Sequence, residues 1–267
     1  MELVLTGLDI EEKAKIFTDT LFNSVGGREQ FDEVSIHLDR NDKDDPNTNE
    51  EAMAALRINV KSKDKELVGR LFSAKIIELA LSNYPGFFAG GGVKSSGPVL
   101  IYWPALVDSK HINEVVHFNG KSKELKPTSQ LNFEEIYYQT EPVKIPDAPK
   151  GETSHVALGT LFGARAGDKG GCANLGVWAK DLDAFAFLSS FLTIKKLKEL
   201  MPDLKGFKIE RFDLPNILSL NFYIHDILED GVSSNSRKDA QAKSLGEYLR
   251  AKKANIPSSL LETLNES

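Results

Sequence analysis

A single cysteine, Cys172, stands among the 267 residues, which excludes an internal disulfide and any zinc site built from several thiolates. No apolar run approaches the roughly 18 residues that a membrane-spanning helix needs. The opening MELVLTGLDIEEKAK lacks the basic and then apolar layout of a secretory signal. Positive charge is not in excess: 33 Lys and Arg face 39 Asp and Glu, a formal charge of −6, which argues against general affinity for nucleic acid or an anionic membrane. Histidine is sparse, and His37, His111, His117, His155 and His225 form neither HxH nor HExxH spacing, so no metal site is expected. These absences point to a cytoplasmic protein with no nucleic-acid partner, no membrane partner and no resident cofactor.

What is present is ordinary for a globular chain, with 41% hydrophobic and 27% charged residues. Glu2–Thr6 reads as a short apolar strand, and Asp9 with Glu12 reads as a capping box at a helix start. Ala14, Phe17, Leu21 and Val25 recur at helical spacing until Gly26 and Gly27 end the run. Val34, Ile36 and Leu38 alternate with polar residues, as do Leu56, Ile58 and Val60, and both stretches predict half-buried strands. Between them, DRNDKDDPNTNEE is a solvated connection. Asp42, Asp44 and Asp45 suggest a calcium loop, but Pro46 and Asn47 follow and the required glycine is missing. A second helix carries Leu67, Leu71, Ile76, Leu79 and Ala80 and stops at Tyr84-Pro85-Gly86. After the glycine-rich run GGGVKSSGP, the segment VLIYWPALV (99–107) predicts a final apolar strand broken at Pro104. The order β-α-β-β-α-β is the ferredoxin-like arrangement.

Residues 108–150 read as irregular structure and linker, with Pro127, Pro142, Pro146 and Pro149 crowding its end. A second module follows: a strand over 155–162, a glycine-rich segment, a strand over 173–178, a helix over 183–192, and a second helical piece capped by Thr193. Strands over 207–214 and 217–224 turn at Pro215-Asn216, and a last helix carries Ala242, Leu245 and Leu249 on one face. The expected fold class is α+β, with two small ferredoxin-like α/β sandwich modules joined by a Pro-rich linker. The expected boundaries are 1–122 for the first module, 123–151 for the linker and 152–267 for the second.

Local chemistry is densest in GARAGDKGGCANLG, residues 163–176. Gly163, Gly167, Gly170 and Gly171 allow sharp turns and close approach of a ligand, and successive main-chain N–H groups there can form a nest for an anionic oxygen. Arg165 and Lys169 add positive charge, Asp168 is a candidate general base, and Asn174 offers a donor and an acceptor. The pattern is neither a Walker loop nor a dinucleotide fingerprint, and it equally describes a tight hairpin with an Asp–Lys pair at its tip. Cys172 has no local histidine to activate it and reads as a small buried side chain. In LPNILSLNF, Asn216 is a turn residue and Asn221 lies on a strand. In SSNSRKDAQAKSLGEYL, Ser236 or Asp239 caps a helix, with Arg237, Asp239 and Lys243 grouped near an end suited to anions or simply forming surface charge.

GARAGDKGGCANLGVWAKD, ERFDLPNILSLNF and SSNSRKDAQAKSLGEYLR together resemble the C-terminal ferredoxin-fold domain of the acyclic terpene utilisation protein A (AtuA) family. LALSNYPGFFA and YWPALV resemble the end of that family's large N-terminal domain, so the likeness covers roughly residues 55–260. It implies catabolism of acyclic terpenes through branched acyl-CoA intermediates; Asp168 and Lys169 match the family's signature, and the clustering of opposite charges with turn glycines makes them the candidate catalytic residues. The implied ligand-binding set is Arg165, Gly167, Gly170, Gly171, Asn174, Asn216, Asn221, Arg237 and Lys243. The chain departs from the family at Ala166, where a serine is usual, and because a large segment precedes this region in other members the resemblance implies that the chain corresponds to their C-terminal portion. Two functions follow as expectations. One is a component of an acyl-CoA hydratase or lyase taking a CoA thioester as substrate. The other is a non-catalytic ligand-binding or oligomerisation module, a homo-oligomer that docks onto a separate N-terminal portion or a carboxylase-type partner.

Overall fold

The computed structural model describes residues 1–80, 87–89, 95–125 and 142–262. The chain divides into two compact units, Met1–Val99 and Leu100–Ser267. The predicted helix stop at residues 84–86, residues 90–94 of the glycine-rich run, and Pro127 lie outside the described residues.

The first unit runs β1 (Glu2–Thr6), α1 (Ile10–Ser24), β2 (Glu33–Asp39), β3 (Met53–Lys61), α2 (Phe72–Ala80) and β4 (Phe87–Ala89). Its sheet has the order β2-β3-β1-β4, with every neighbour antiparallel. Alternation along β1 and β3 drives this arrangement. Leu3, Leu5, Ala54, Leu56 and Ile58 are buried, and α1 lays Ile10, Ala14, Phe17 and Leu21 against them. Phe22, Phe31 and Phe72 close the core as an aromatic cluster, with Phe31 set edge-on to both neighbours.

Three sequence expectations for this unit are corrected. Asp9 does precede α1, but its backbone is left-handed (φ 58) and its carboxylate makes no cap, because a side-chain cap needs extended backbone at that position. The second helical run opens with a π-turn, Leu67–Leu71, in which Gly69 leaves helical geometry at φ −86, ψ −116. That break shifts the register, so Leu71 is exposed and Phe72 takes the core position. Finally, residues 99–107 form no strand. The free edge of β1 is taken by Phe87–Ala89, and Trp103 and Leu106 of the apolar segment face solvent.

In the second unit, β5 (Glu114–Phe118) and β6 (Lys121–Leu125) form a hairpin where irregular structure was expected. Asn119 and Gly120 both have positive φ, the requirement of a type I′ turn. Next come β7 (Thr153–Ala157), β8 (Gly163–Lys169), β9 (Cys172–Trp178), α3 (Leu182–Phe191), α4 (Ile194–Leu200), β10 (Ile209–Leu214) and β11 (Ser219–Ile224). The chain continues through α5 (Leu245–Ala251), β12 (Lys253–Pro257) and α6 (Ser258–Glu262). Asp181 and Thr193 cap α3 and α4 through the Ala184 and Lys196 amides. The strand predicted over 155–162 is shorter and pairs with β12 outside the main sheet.

The main sheet of this unit has the order β10-β11-β9-β8, again antiparallel throughout. Laid over the first unit, β9, β10 and β11 occupy the places of β1, β2 and β3, and α5 follows β11 as α2 follows β3. Only the fourth place differs: β8 comes first in the chain and reaches β9 by a hairpin. The second unit is thus a circular permutant of the first. Ala173, Leu175, Val177, Leu220, Phe222 and Ile224 face its core, packed with Phe185 and Leu188 of α3 and Leu245 and Leu249 of α5. The helix expected to close the unit is α5, which starts at Leu245, later than expected, and is followed by β12 and α6. Ala242 remains buried in the preceding turn, and Asp239 fastens that turn to α5 by accepting bonds from Lys243 N (2.9 Å), Ser244 N (2.8 Å) and Ser244 Oγ (2.6 Å).

Candidate functional site

The glycine-rich segment is a β-hairpin. Lys169 pairs with Cys172, which leaves Gly170-Gly171 as a two-residue loop, with positive φ (65°) at Gly170 but not at Gly171. That combination is the type II′ turn. Packing requires glycine at Gly171, and the positive φ requires it at Gly170. A Cβ on Gly171 would sit 2.0 Å from the Glu229 carbonyl oxygen, and one on Gly170 would lie 3.2 Å from the Tyr102 ring. The Gly171 carbonyl accepts from Leu228 N at 2.8 Å. An acceptor oxygen therefore already faces one side of the turn proposed as an anion nest.

Strand alternation then separates the two residues expected to act together. In β8, Arg165, Gly167 and Lys169 share one face, while Ala164, Ala166 and Asp168 share the other. Lys169 Nζ bonds the Asp168 backbone carbonyl (2.9 Å) rather than its carboxylate. Asp168 instead lines a groove of about 430 Å³ with Leu100, Ile101, Tyr102, Gly170, Val232 and Ser233. Tyr102 is anchored there by its amide, which donates to the Asp230 carbonyl at 3.2 Å.

The face carrying Arg165 and Lys169 is the side of the sheet turned away from the hydrophobic core. Register places its residues in rows across four strands. Arg165, Gly176, Asn221 and Phe212 form one row, and Gly167, Asn174, Tyr223 and Glu210 form the next. Asn174 Nδ2 donates to Asn221 Oδ1 at 3.2 Å, which leaves the Asn174 carbonyl and the Asn221 amide nitrogen unengaged among the described residues. Nothing lies within 4 Å of a Cβ built on Gly167, so the floor beside Asn174 is at backbone level. Arg165 has no hydrogen bond or ion pair among the described residues, and Lys169 has only its backbone bond.

Tyr223, His225 and Glu210, which local spacing did not single out, complete this face. Tyr223 and His225 follow the predicted Asn221 at i+2 and i+4, a signal legible in LNFYIHD. His225 Nε2 lies 2.5 Å from Glu210 Oε1, and the Tyr223 and His225 rings meet edge to face at 4.9 Å. The bond from His225 holds the Glu210 carboxyl below the usual carboxylate range, with Lys208 assisting. Cys172, expected to be buried, is half-buried on this face. Its thiol beside the Tyr223 hydroxyl, followed by desolvation, pushes that phenol up.

The remaining predicted residues do not join the face. Asn216 is exposed in the 3₁₀ turn Pro215–Ile217. Arg237 lies 3.8 Å from Asp203, and burial first and the nearby Asp203 charge second push the Tyr248 phenol up. Lys243 is exposed beside Asp239. Arg165, Lys169, Asn174 and Asn221 are thus brought together, with Gly167 as floor. Among the described residues no group of His, Cys, Asp or Glu is placed to hold a metal, and no helix is long and apolar enough to cross a membrane.

Fold and face together define an α+β protein of two ferredoxin-like units, one of them carrying a cationic, asparagine-lined sheet surface. Residues 1–118 match the acyclic terpene utilisation family protein AtuA, and residues 156–255 match the AtuA ferredoxin-like domain. The chain belongs to the AtuA family, which its name associates with acyclic terpene utilisation. No curated protein and no solved structure matches the chain.

Proposed function

We propose that the chain acts in the breakdown of branched acyl-CoA compounds, and that the open sheet face of its second unit binds the thioester, as a hydratase or lyase component does. The observation that carries this reading is the pair of cations, Arg165 and Lys169, that have no carboxylate partner among the described residues and flank the glycine floor beside Asn174 and Asn221. In a chain of net charge −6, cations left uncompensated on one face favour an anionic ligand. A CoA thioester supplies phosphates for Arg165 and Lys169 and a carbonyl oxygen for an asparagine amide.

Calorimetric titration of the full chain with isovaleryl-CoA tests this. Charge-assisted hydrogen bonds contribute ~1.5–3 kcal/mol each, so the double variant Arg165→Ala, Lys169→Ala is expected to bind about tenfold more weakly or worse. Equal affinity in the two proteins, or no binding to either, overturns the reading.

A further inference from the structure

We infer that His225, oriented by Glu210, is the base that removes a proton from the carbon next to the thioester carbonyl; this rests on the thioester reading above. The geometry assigns the roles. His225 Nε2 faces the Glu210 carboxylate at 2.5 Å; with that nitrogen as donor to the carboxylate, it is Nδ1 that holds the lone pair in the neutral ring. Nδ1 has no partner among the described residues, and the side chain keeps 25% of its surface exposed. The charged and titratable groups around the ring are Glu210 of β10, Lys208 just before it, Tyr223 of β11 and Cys172 of β9. Lys208 also accepts the His225 amide through its backbone carbonyl, at 3.0 Å, which ties the residue to the end of β10.

Register puts this base beside the proposed carbonyl site. Tyr223 is the direct partner of Asn174 on one side and of Glu210 on the other, and its ring touches His225. The inferred pose sets the thioester carbonyl oxygen over Asn174 and Asn221 and its α-carbon toward Tyr223 and His225. In the step, the α C–H bond breaks and its proton passes to Nδ1. The electron pair delocalises onto the thioester oxygen, where amide N–H groups of the asparagine pair donate to it. Glu210 stabilises the imidazolium that forms. With a β-hydroxyacyl thioester, the pair instead forms the Cα=Cβ bond as the Cβ–O bond breaks. The imidazolium returns its proton to the departing oxygen, and water leaves. Glu210 is a positioning residue, since it acts only through the imidazole.

Exchange of the α-hydrogens of isovaleryl-CoA into D2O, followed by proton NMR beside a calorimetric titration, separates this inference from the reading beneath it. Wild-type protein is expected to deuterate the α-carbon. His225→Ala is expected to bind the thioester normally, to exchange about a hundredfold more slowly or worse, and to recover with added imidazole. Glu210→Gln is expected to bind normally and to exchange more slowly, without rescue by imidazole. His225→Gln, which keeps a donor toward Glu210, serves as a second variant should the alanine protein fail to fold. Normal binding with no exchange in wild type overturns the base assignment alone, as does undiminished exchange in either His225 variant. Absence of thioester binding overturns both.

Discussion

The two units carry the same four-stranded sheet in the same order, yet the faces turned away from their cores treat charge in opposite ways. In the first unit the cations are neutralised across strands. Lys61 meets Glu33, its register partner, at 2.7 Å, and Arg57 meets Asp39 at 3.0 Å. In the second unit Arg165 and Lys169 stand on an outer strand whose neighbouring positions on that face hold glycine, asparagine and cysteine, and neither has a carboxylate partner among the described residues. One architecture thus yields a self-satisfied surface and a surface with binding capacity to spare. The permutation contributes to this difference. Bringing the fourth strand to the front of the unit joins it to β9 by a two-residue turn, which sets Lys169 beside Cys172 and Arg165 beside Gly176.

The comparison can be broken in several ways, beginning with the cores. Phe222→Ala in the second unit and Phe17→Ala in the first each remove a side chain at or below 2% exposure and are expected to cost ~3–5 kcal/mol. Amide exchange is expected to locate the first loss in β9 and β11 and the second in β1 and α1. An equal loss of protection everywhere would show that the two cores do not hold their own strands.

A more pointed change makes the second face resemble the first. Gly167→Glu places a carboxylate between Arg165 and Lys169 in a position with room for it, and thioester affinity is expected to fall at least tenfold with thermal stability unchanged. Smaller again is Gly171→Ala, whose Cβ meets the Glu229 carbonyl and whose expected cost is ~1–3 kcal/mol, read as a lowered denaturant midpoint.

Asp239→Ala removes three accepted bonds at the start of α5 and is expected to cost ~1–2 kcal/mol. Burial acts against the Asp239 charge, but the bonds from Ser244 and Lys243 outweigh it and hold the carboxyl below its usual value. That contribution is present above the unfolded value and is lost as pH falls through the depressed native one, below about pH 4. The wild-type advantage over Asp239→Ala should therefore shrink in acid and persist at neutral pH. The smallest effect belongs to Lys61→Ala. Its cation is spent on Glu33, so thioester affinity is expected to stay constant and stability to change by less than ~1 kcal/mol.

Much of this was legible locally. Alternation in β1, β3, β9 and β11 and the helical spacing of α1 reflect burial of one face, which a period in the sequence records directly. The misses share a cause in events a period cannot record. Phe72 displaced Leu71 because a π-turn at Gly69 inserted a register shift. The apolar segment 99–107 lost the strand position to Phe87–Ala89 because a sheet edge accepts only one neighbour. The β5–β6 hairpin was announced by Asn119-Gly120, a turn signal hidden within a stretch read as linker.

The candidate site divides along the same line. Sequence alone determined that residues 163–176 would turn tightly and concentrate charge, since glycine, arginine and lysine carry those properties wherever they sit. Sequence alone also placed Asn221 on a strand. Only the tertiary structure decided that Asp168 and Lys169 face opposite ways, because pleating sends successive side chains to opposite sides. It alone brought His225 and Glu210 to the face that holds Asn174, because strands distant in the chain become neighbours only when the sheet order is set.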